Sequence, residues 1–270
     1  SGAINLAGLG DGDTAGATGV TTIGNSTVTT LTLSGTRYST SGSQKYSAKA
    51  GQNIDIEGID AVFVTTGENI EFDTAGVDLK NSTGADSTTT VSTGSSSGGT
   101  VVFDGAIETD GGDDDTLTIT SGSGTVTFTG KIGATEQIAG LNVNASSGSG
   151  AITFTEDIGA TDFGVHGAAD IGNSTTTAIH LDGGFYSFND STAFETTTGD
   201  SKYDVSVTTT IETTGDTLSI TGGEIDLGAN ANLTITSGGG AITVGKIGGD
   251  SSETVSISAN ESGDGSGSAA

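Results

Sequence analysis

The feature that most constrains this chain is that it repeats itself on two scales. Ser1–Ser47 aligns on Ser149–Glu195 without a gap. Ser1-Gly2-Ala3-Ile4 meets Ser149-Gly150-Ala151-Ile152, and Ile23-Gly24-Asn25-Ser26-Thr27 meets Ile171-Gly172-Asn173-Ser174-Thr175, an offset of 171 − 23 = 148 residues. Leu33, Gly35, Tyr38 and Ser39 then fall on Leu181, Gly183, Tyr186 and Ser187, and 17 of the 47 aligned positions are identical. The long repeat divides a single repetitive unit, 1–270, into 1–148 and an incomplete second copy, 149–270. A shorter period lies inside it: units beginning at Leu117 and Leu141 are 24 residues apart, and those at Leu233 and Val255 are 22 apart. Periods of this size suit one coil of a solenoid, in which each repeat buries its apolar face on its neighbours.

Each short unit reads as strand, glycine turn, strand, glycine turn. In Leu117-Thr118-Ile119-Thr120 and Thr125-Val126-Thr127-Phe128-Thr129 apolar residues alternate with threonine, the period-2 signature of a strand with one face buried. Ser-Gly-Ser-Gly, Ser-Gly-Gly-Gly and Lys-Ile-Gly supply corners, where glycine reaches positive φ at little steric cost. The expected fold is all-β: a right-handed parallel β-helix (β-solenoid) with coils of about 22–24 residues, the hand following from the general rule for parallel crossovers. An antiparallel β-sandwich array is the runner-up, but sandwich strands occupy distinct sites and have no reason to repeat in sequence. Tyr38, Tyr46, Phe63, Phe72, Phe103, Phe128, Phe154, Tyr186 and Phe188 are expected to stack between coils. Lys80–Gly99, almost without apolar residues beyond Val91, is expected to be a loop or a weak coil.

Hydrophobic residues are 31% of the chain and aromatic ones 5%, enough for the thin core of a solenoid and too little for a thick globular one. The formal charge of −27, from 34 acidic against 7 basic residues, repels nucleic acid and anionic membranes. No apolar run approaches the ~20 residues that span a bilayer, so membrane insertion is not expected. There is no cysteine, which removes disulfides and thiolate metal sites and suits a chain outside the cell.

Candidate chemistry is sparse. Gly111-Gly112-Asp113-Asp114-Asp115 is the densest acidic run, and Asp113, Asp114 and Asp115 are candidate Ca²⁺ ligands, since hard cations take several oxygens. Asp11, Asp13 and Asp216 are weaker candidates, and no other cofactor is expected. The one arginine is Arg37, a poor endowment for the acidic-sugar lyases that share this architecture, and no catalytic role is expected. His166 and His180 lie in different units and read as surface residues. Sequons at Asn25, Asn81, Asn144, Asn173, Asn189, Asn232 and Asn260 are what a chain rich in Asn, Ser and Thr produces by chance.

Both ends fall in mid-unit. Ser1, Gly2, Ala3, Ile4 and Leu6 at one end, with Val255 and Ile257 at the other, form a candidate polymer interface through which half-coils complete one another head to tail; the other reading is continuation into a longer chain. Leu117–Gly133, Leu141–Gly159 and Leu233–Gly248 resemble the passenger repeats of filamentous-haemagglutinin-type exoproteins and autotransporters. Tyr38–Ser47 resembles a unit of bacterial β-strand-repeat surface proteins. The resemblance implies a right-handed parallel β-helix, export to the bacterial cell surface, and a structural or adhesive role. The functional expectation is an extracellular fibre, filament, sheath or adhesin stalk; the alternative is a calcium-, glycan- or ice-binding adhesin module.

Overall fold

The computed structural model describes residues 2–10, 16–80, 86–110, 115–160, 164–200, 202–249 and 252–259. They form a parallel β-solenoid whose coils have three faces, with no helix among them. Face A carries β1 (Ala3–Leu6), β3 (Thr30–Leu33), β6 (Asn53–Ile56), β9 (Gly76–Leu79) and β12 (Ile107–Thr109), then β19 (Phe185–Phe188), β22 (Thr209–Thr213), β25 (Leu233–Ser237) and β28 (Val255–Ser258). Its two sheets are joined through single bridges, Ile107 to Ile132 to Ile158 to Tyr186. Face B runs through β4 (Arg37–Ser39), β7 (Val62–Val64), β10 (Ser87–Ser92), β13 (Asp115–Thr120), β15 (Gly140–Val143), β17 (Ala169–Gly172), β20 (Thr192–Glu195), β23 (Leu218–Thr221) and β26 (Ile242–Val244). Face C runs through β2 (Thr21–Gly24), β5 (Gln44–Ser47), β8 (Ile70–Asp73), β11 (Val101–Phe103), β14 (Val126–Phe128), β16 (Ile152–Phe154), β18 (Ile179–Leu181), β21 (Tyr203–Val205), β24 (Ile225–Leu227) and β27 (Ile247–Gly249). A coil is counted from its face A strand, so the first contains β1 and β2.

Alternation sets the core. On face C the inward side chains Tyr46, Phe72, Phe103, Phe128 and Phe154 stack one coil above the next, with ring centroids 5.3, 4.7, 5.6 and 4.9 Å apart. On face B Tyr38 stacks on Phe63 at 4.7 Å, and on face A Leu31, Ile54, Val77, Ile107, Ile132 and Ile158 form an aliphatic column. Every aromatic residue expected to stack is buried, and Phe194 and Tyr203 join them.

The spacing is looser than the short period suggests. The step from Ile54 to Val77 is 77 − 54 = 23 residues, but that from Val77 to Ile107 is 107 − 77 = 30, because extra residues gather at corners while the register of the strands is kept. Of the loop and the weak coil expected for Lys80–Gly99, the described residues contain a coil strand, β10, whose six residues pair in parallel with β13. Its inward positions are Ser87, Thr89 and Val91, so hydroxyls take core places there.

The long repeat does not span a whole number of turns. β2 lies on face C and its counterpart β17 on face B; β3 and β4 on A and B match β18 and β19 on C and A. The local geometry survives this change of face. Asn25 Oδ1 accepts Thr27 N at 2.9 Å, and Asn173 Oδ1 accepts Thr175 N at 2.7 Å. The Tyr38 hydroxyl accepts Gly35 N and donates to Leu6 O, as the Tyr186 hydroxyl accepts Gly183 N and donates to Phe154 O. Burial pushes the Tyr38 phenol up to about 12, against the Gly35 hydrogen bond, so it stays a protonated donor. The repeat therefore encodes corners and strands that fit more than one pair of adjacent faces.

Buried Asn173 also donates from Nδ2 to the carbonyls of Asn144 and Gly148, holding the turn of the coil beneath. Asn173→Ala leaves those acceptors unpaired and is expected to cost about 2 kcal/mol, read as a lower midpoint of urea unfolding; a change within the error of wild type would exclude this role.

Candidate functional site

The stacking of coils gathers chemistry on the outside as it gathers apolar groups inside. Because Tyr46, Phe72 and Phe103 point inward, Lys45 and Ser47 on β5, Glu71 and Asp73 on β8, and Asp104 just after β11 lie on the outer side of face C. Lys45 Nζ is 2.8 Å from Glu71 Oε1 and 3.0 Å from Asp73 Oδ2, and Ser47 Oγ donates to Asp73 Oδ2 at 3.0 Å. One carboxylate oxygen each from Glu71, Asp73 and Asp104 lies within 4.8 Å of the others.

Burial works to raise the Asp73 carboxyl, but hydrogen bonds from Lys45, Ser47 and Thr74 outweigh it and hold the group below its ordinary value. Asp104 is raised, by burial first and then by the adjoining Asp73 and Glu71. Lys45 is raised, chiefly by its hydrogen bond to Glu71. Three oxygen donors of this kind fit a hard divalent cation. Lys45, however, already stands as the cation for two of them, and the arrangement reads first as an ion-paired outer rung.

The residues singled out in the sequence are dispersed. Asp115 opens β13 and is buried, its side chain in the inward row with Leu117 and Ile119. Asp113, Asp114, Asp11 and Asp13 lie outside the described residues, and Asp216 is exposed at a corner. His166 precedes β17 at an exposed corner, while His180 stands on the outer side of face C with Nδ1 3.4 Å from Asp204 Oδ2. Asn144 and Asn173 are buried and hydrogen-bonded, which leaves neither open to a glycan in the folded chain. Asn81 and Asn260 lie outside the described residues. Threonine rows do form locally: Thr88 and Thr90 of β10 register with Thr116 and Thr118 of β13 on the outer side of face B. The next rungs, Gly140 and Asn142, end the array.

Of the candidate polymer interface, Ser1 lies outside the described residues and Gly2 is exposed. Ala3, Ile4 and Leu6 belong to β1, with Ile4 and Leu6 partly buried. Val255 and Ile257 belong to β28 and are 44% and 50% exposed. β1 and β28 lie at opposite ends of the same face.

No protein family matches this chain, and comparison with curated proteins and with solved structures finds no match. The likeness to haemagglutinin-type passengers stands at the level of the solenoid fold.

Proposed function

We propose that this chain is a load-bearing rod: a segment of an extracellular surface fibre, sheath or adhesin stalk of the kind formed by bacterial exoprotein passengers. The observation that carries the reading is the continuity of the ladder on face A, where Ile4, Leu31, Ile54, Val77, Ile107, Ile132, Ile158, Tyr186, Ile211, Ile235 and Ile257 follow one another coil by coil. A fold whose core is a column resists tension along its length through every coil alike, with no single side chain responsible. The charge of −27 keeps such a rod soluble and opposes side-by-side association of rods.

Head-to-tail growth extends this reading. β28 presents Val255 and Ile257 on the side that pairs inward with Leu233 and Ile235, and β1 presents Ile4 and Leu6 on the side that pairs inward with Leu31 and Leu33. A second copy whose β1 lay parallel on β28 would continue face A, apolar on apolar. Such a contact does not close and yields a filament.

Two measurements test this. Antibody against the rod should label intact cells of the source organism; label appearing only after permeabilisation would overturn an extracellular role. Negatively stained purified chain should show filaments of uniform width across a series of calcium concentrations. Isolated rods about 50 Å long, ten strand spacings of ~4.8 Å, would remove head-to-tail growth and leave a stalk segment.

A further inference from the structure

Face A carries a second, outward column that the mechanical reading does not use. Asp55 on β6, Asp78 on β9 and Glu108 on β12 are in register, Asp55 opposite Asp78 and Asp78 opposite Glu108. Each stands between inward residues of its strand, so their side chains share the outer side of the face. Like charges directly opposite one another in a sheet oppose the pairing. The compensation is uneven. Glu108 Oε2 accepts the backbone N–H groups of Thr135 and Glu136 at 3.1 and 2.9 Å. Asp78 Oδ1 is enclosed and has no hydrogen-bond partner. The described charged and polar groups around Asp78 are Asp55 and Asn53 on β6, Glu108 on β12, Lys80 beyond the end of its own strand and Asp110 beyond β12; Lys80 is 3.9 Å from Asp110. One ammonium thus serves three carboxylates, Asp55, Asp78 and Asp110. An enclosed carboxylate oxygen without a donor, flanked by carboxylates, is completed by a proton.

We propose that the Asp55–Asp78–Glu108 column is a proton-uptake element, which binds a proton when the surroundings turn mildly acidic and so tightens the third to fifth coils of the rod. The electrostatics agree with the geometry. Burial raises Asp78 to about 6, with Asp55 and Asp110 adding to the effect, and Lys80 and a hydrogen bond from Asn53 to the carboxylate opposing it. Asp55 and Glu108 are also raised, in both cases chiefly by burial. A carboxyl raised in the folded state binds more protons folded than unfolded, so its penalty is full above about pH 6 and disappears as the pH falls toward its ordinary value of 3.8. Asp73, held low, acts in the opposite direction only below its ordinary range.

The test is urea unfolding of the full chain at pH 7.5 and pH 5, in chelator, followed by circular dichroism. The folding equilibrium constant should rise several-fold on acidification, less than the roughly tenfold that the Asp78 shift alone would give over this pH step, because water reaches the column from outside. Asp78→Asn should flatten that rise. Asp216→Asn, which removes one charge at an exposed corner, should leave it intact. Equal flattening by both variants would mean that relief of the overall charge is responsible and would overturn the proposal. Stabilisation at pH 7.5 by calcium that Asp78→Asn abolishes would likewise overturn it, making the column a cation site.

Discussion

Replacing Phe103 with alanine is expected to lower stability by about 3–5 kcal/mol, the range for deleting a fully buried aromatic side chain. Phe103 is 1% exposed and stands in the middle of a column, 4.7 Å from the Phe72 ring and 5.6 Å from Phe128, nearly parallel to both at 7° and 10°. Truncation removes two stacked contacts and leaves a cavity that the backbone cannot close, because β11 is held between β8 and β14 by parallel ladders. In a solenoid each coil is coupled to its neighbours alone. The loss should therefore divide the molecule at the fourth coil, and thermal unfolding followed by circular dichroism should show two transitions in place of one. The same substitution at Phe185, which is only partly buried on the outer side of face A, should cost much less. A single transition displaced no further than that of Phe185→Ala would show that the aromatic column does not couple the coils.

Much of this was legible in the sequence because one physical rule, alternation, decides it. Inward and outward positions follow from period 2, and the aromatic residues that fall on inward positions of successive units must stack. What alternation leaves open is register between units. Glu71 and Asp73 come together with Asp104, and Asp55 with Asp78 and Glu108, only because particular strands are neighbours. A signal existed: Phe72-Asp73 and Phe103-Asp104 are the same dipeptide, and equivalent phenylalanines in a stack carry their following aspartates into contact. Asp113–Asp115 is the densest acidic run, but density along a chain says nothing about proximity across coils. The buried position of Asp115 follows from the same alternation, counted back from Leu117 and Ile119.

The long repeat misleads in a related way. Identity over the segment suggests equivalent places in the solenoid, yet three faces with similar strands accept the same segment after a change of face. The Asn25 and Asn173 turns and the Tyr38 and Tyr186 hydroxyls show that what repeats is local hydrogen bonding. Position on the rod is set by how many residues the intervening corners contain, and corner lengths vary with little consequence for the ladders.

Gly150→Ala is expected to destabilise the chain by about 3 kcal/mol, the upper part of the range for forcing an atom into a packed interior. The reason is not the usual one for a turn glycine, since φ at Gly150 lies outside the left-handed region. Gly99, Gly124 and Gly150 form a column at the corner entering face C. A Cβ on Gly124 would lie 2.1 Å from Gly99 O, and one on Gly150 1.7 Å from Gly124 O. Both oxygens belong to backbone of the coil beneath, so no side chain can swing away to relieve the contact, and the two coils would have to part. The repeat supplies its own control: Gly2 occupies the equivalent place in Ser1-Gly2-Ala3-Ile4, and a Cβ there meets nothing within 4 Å. Gly2→Ala should change stability by no more than about 0.5 kcal/mol. Urea unfolding of the two variants compares one residue in one sequence context, with and without a coil pressed against it. Equal effects would mean that the corner glycines serve backbone conformation alone, and that the close approach of coils does not select them.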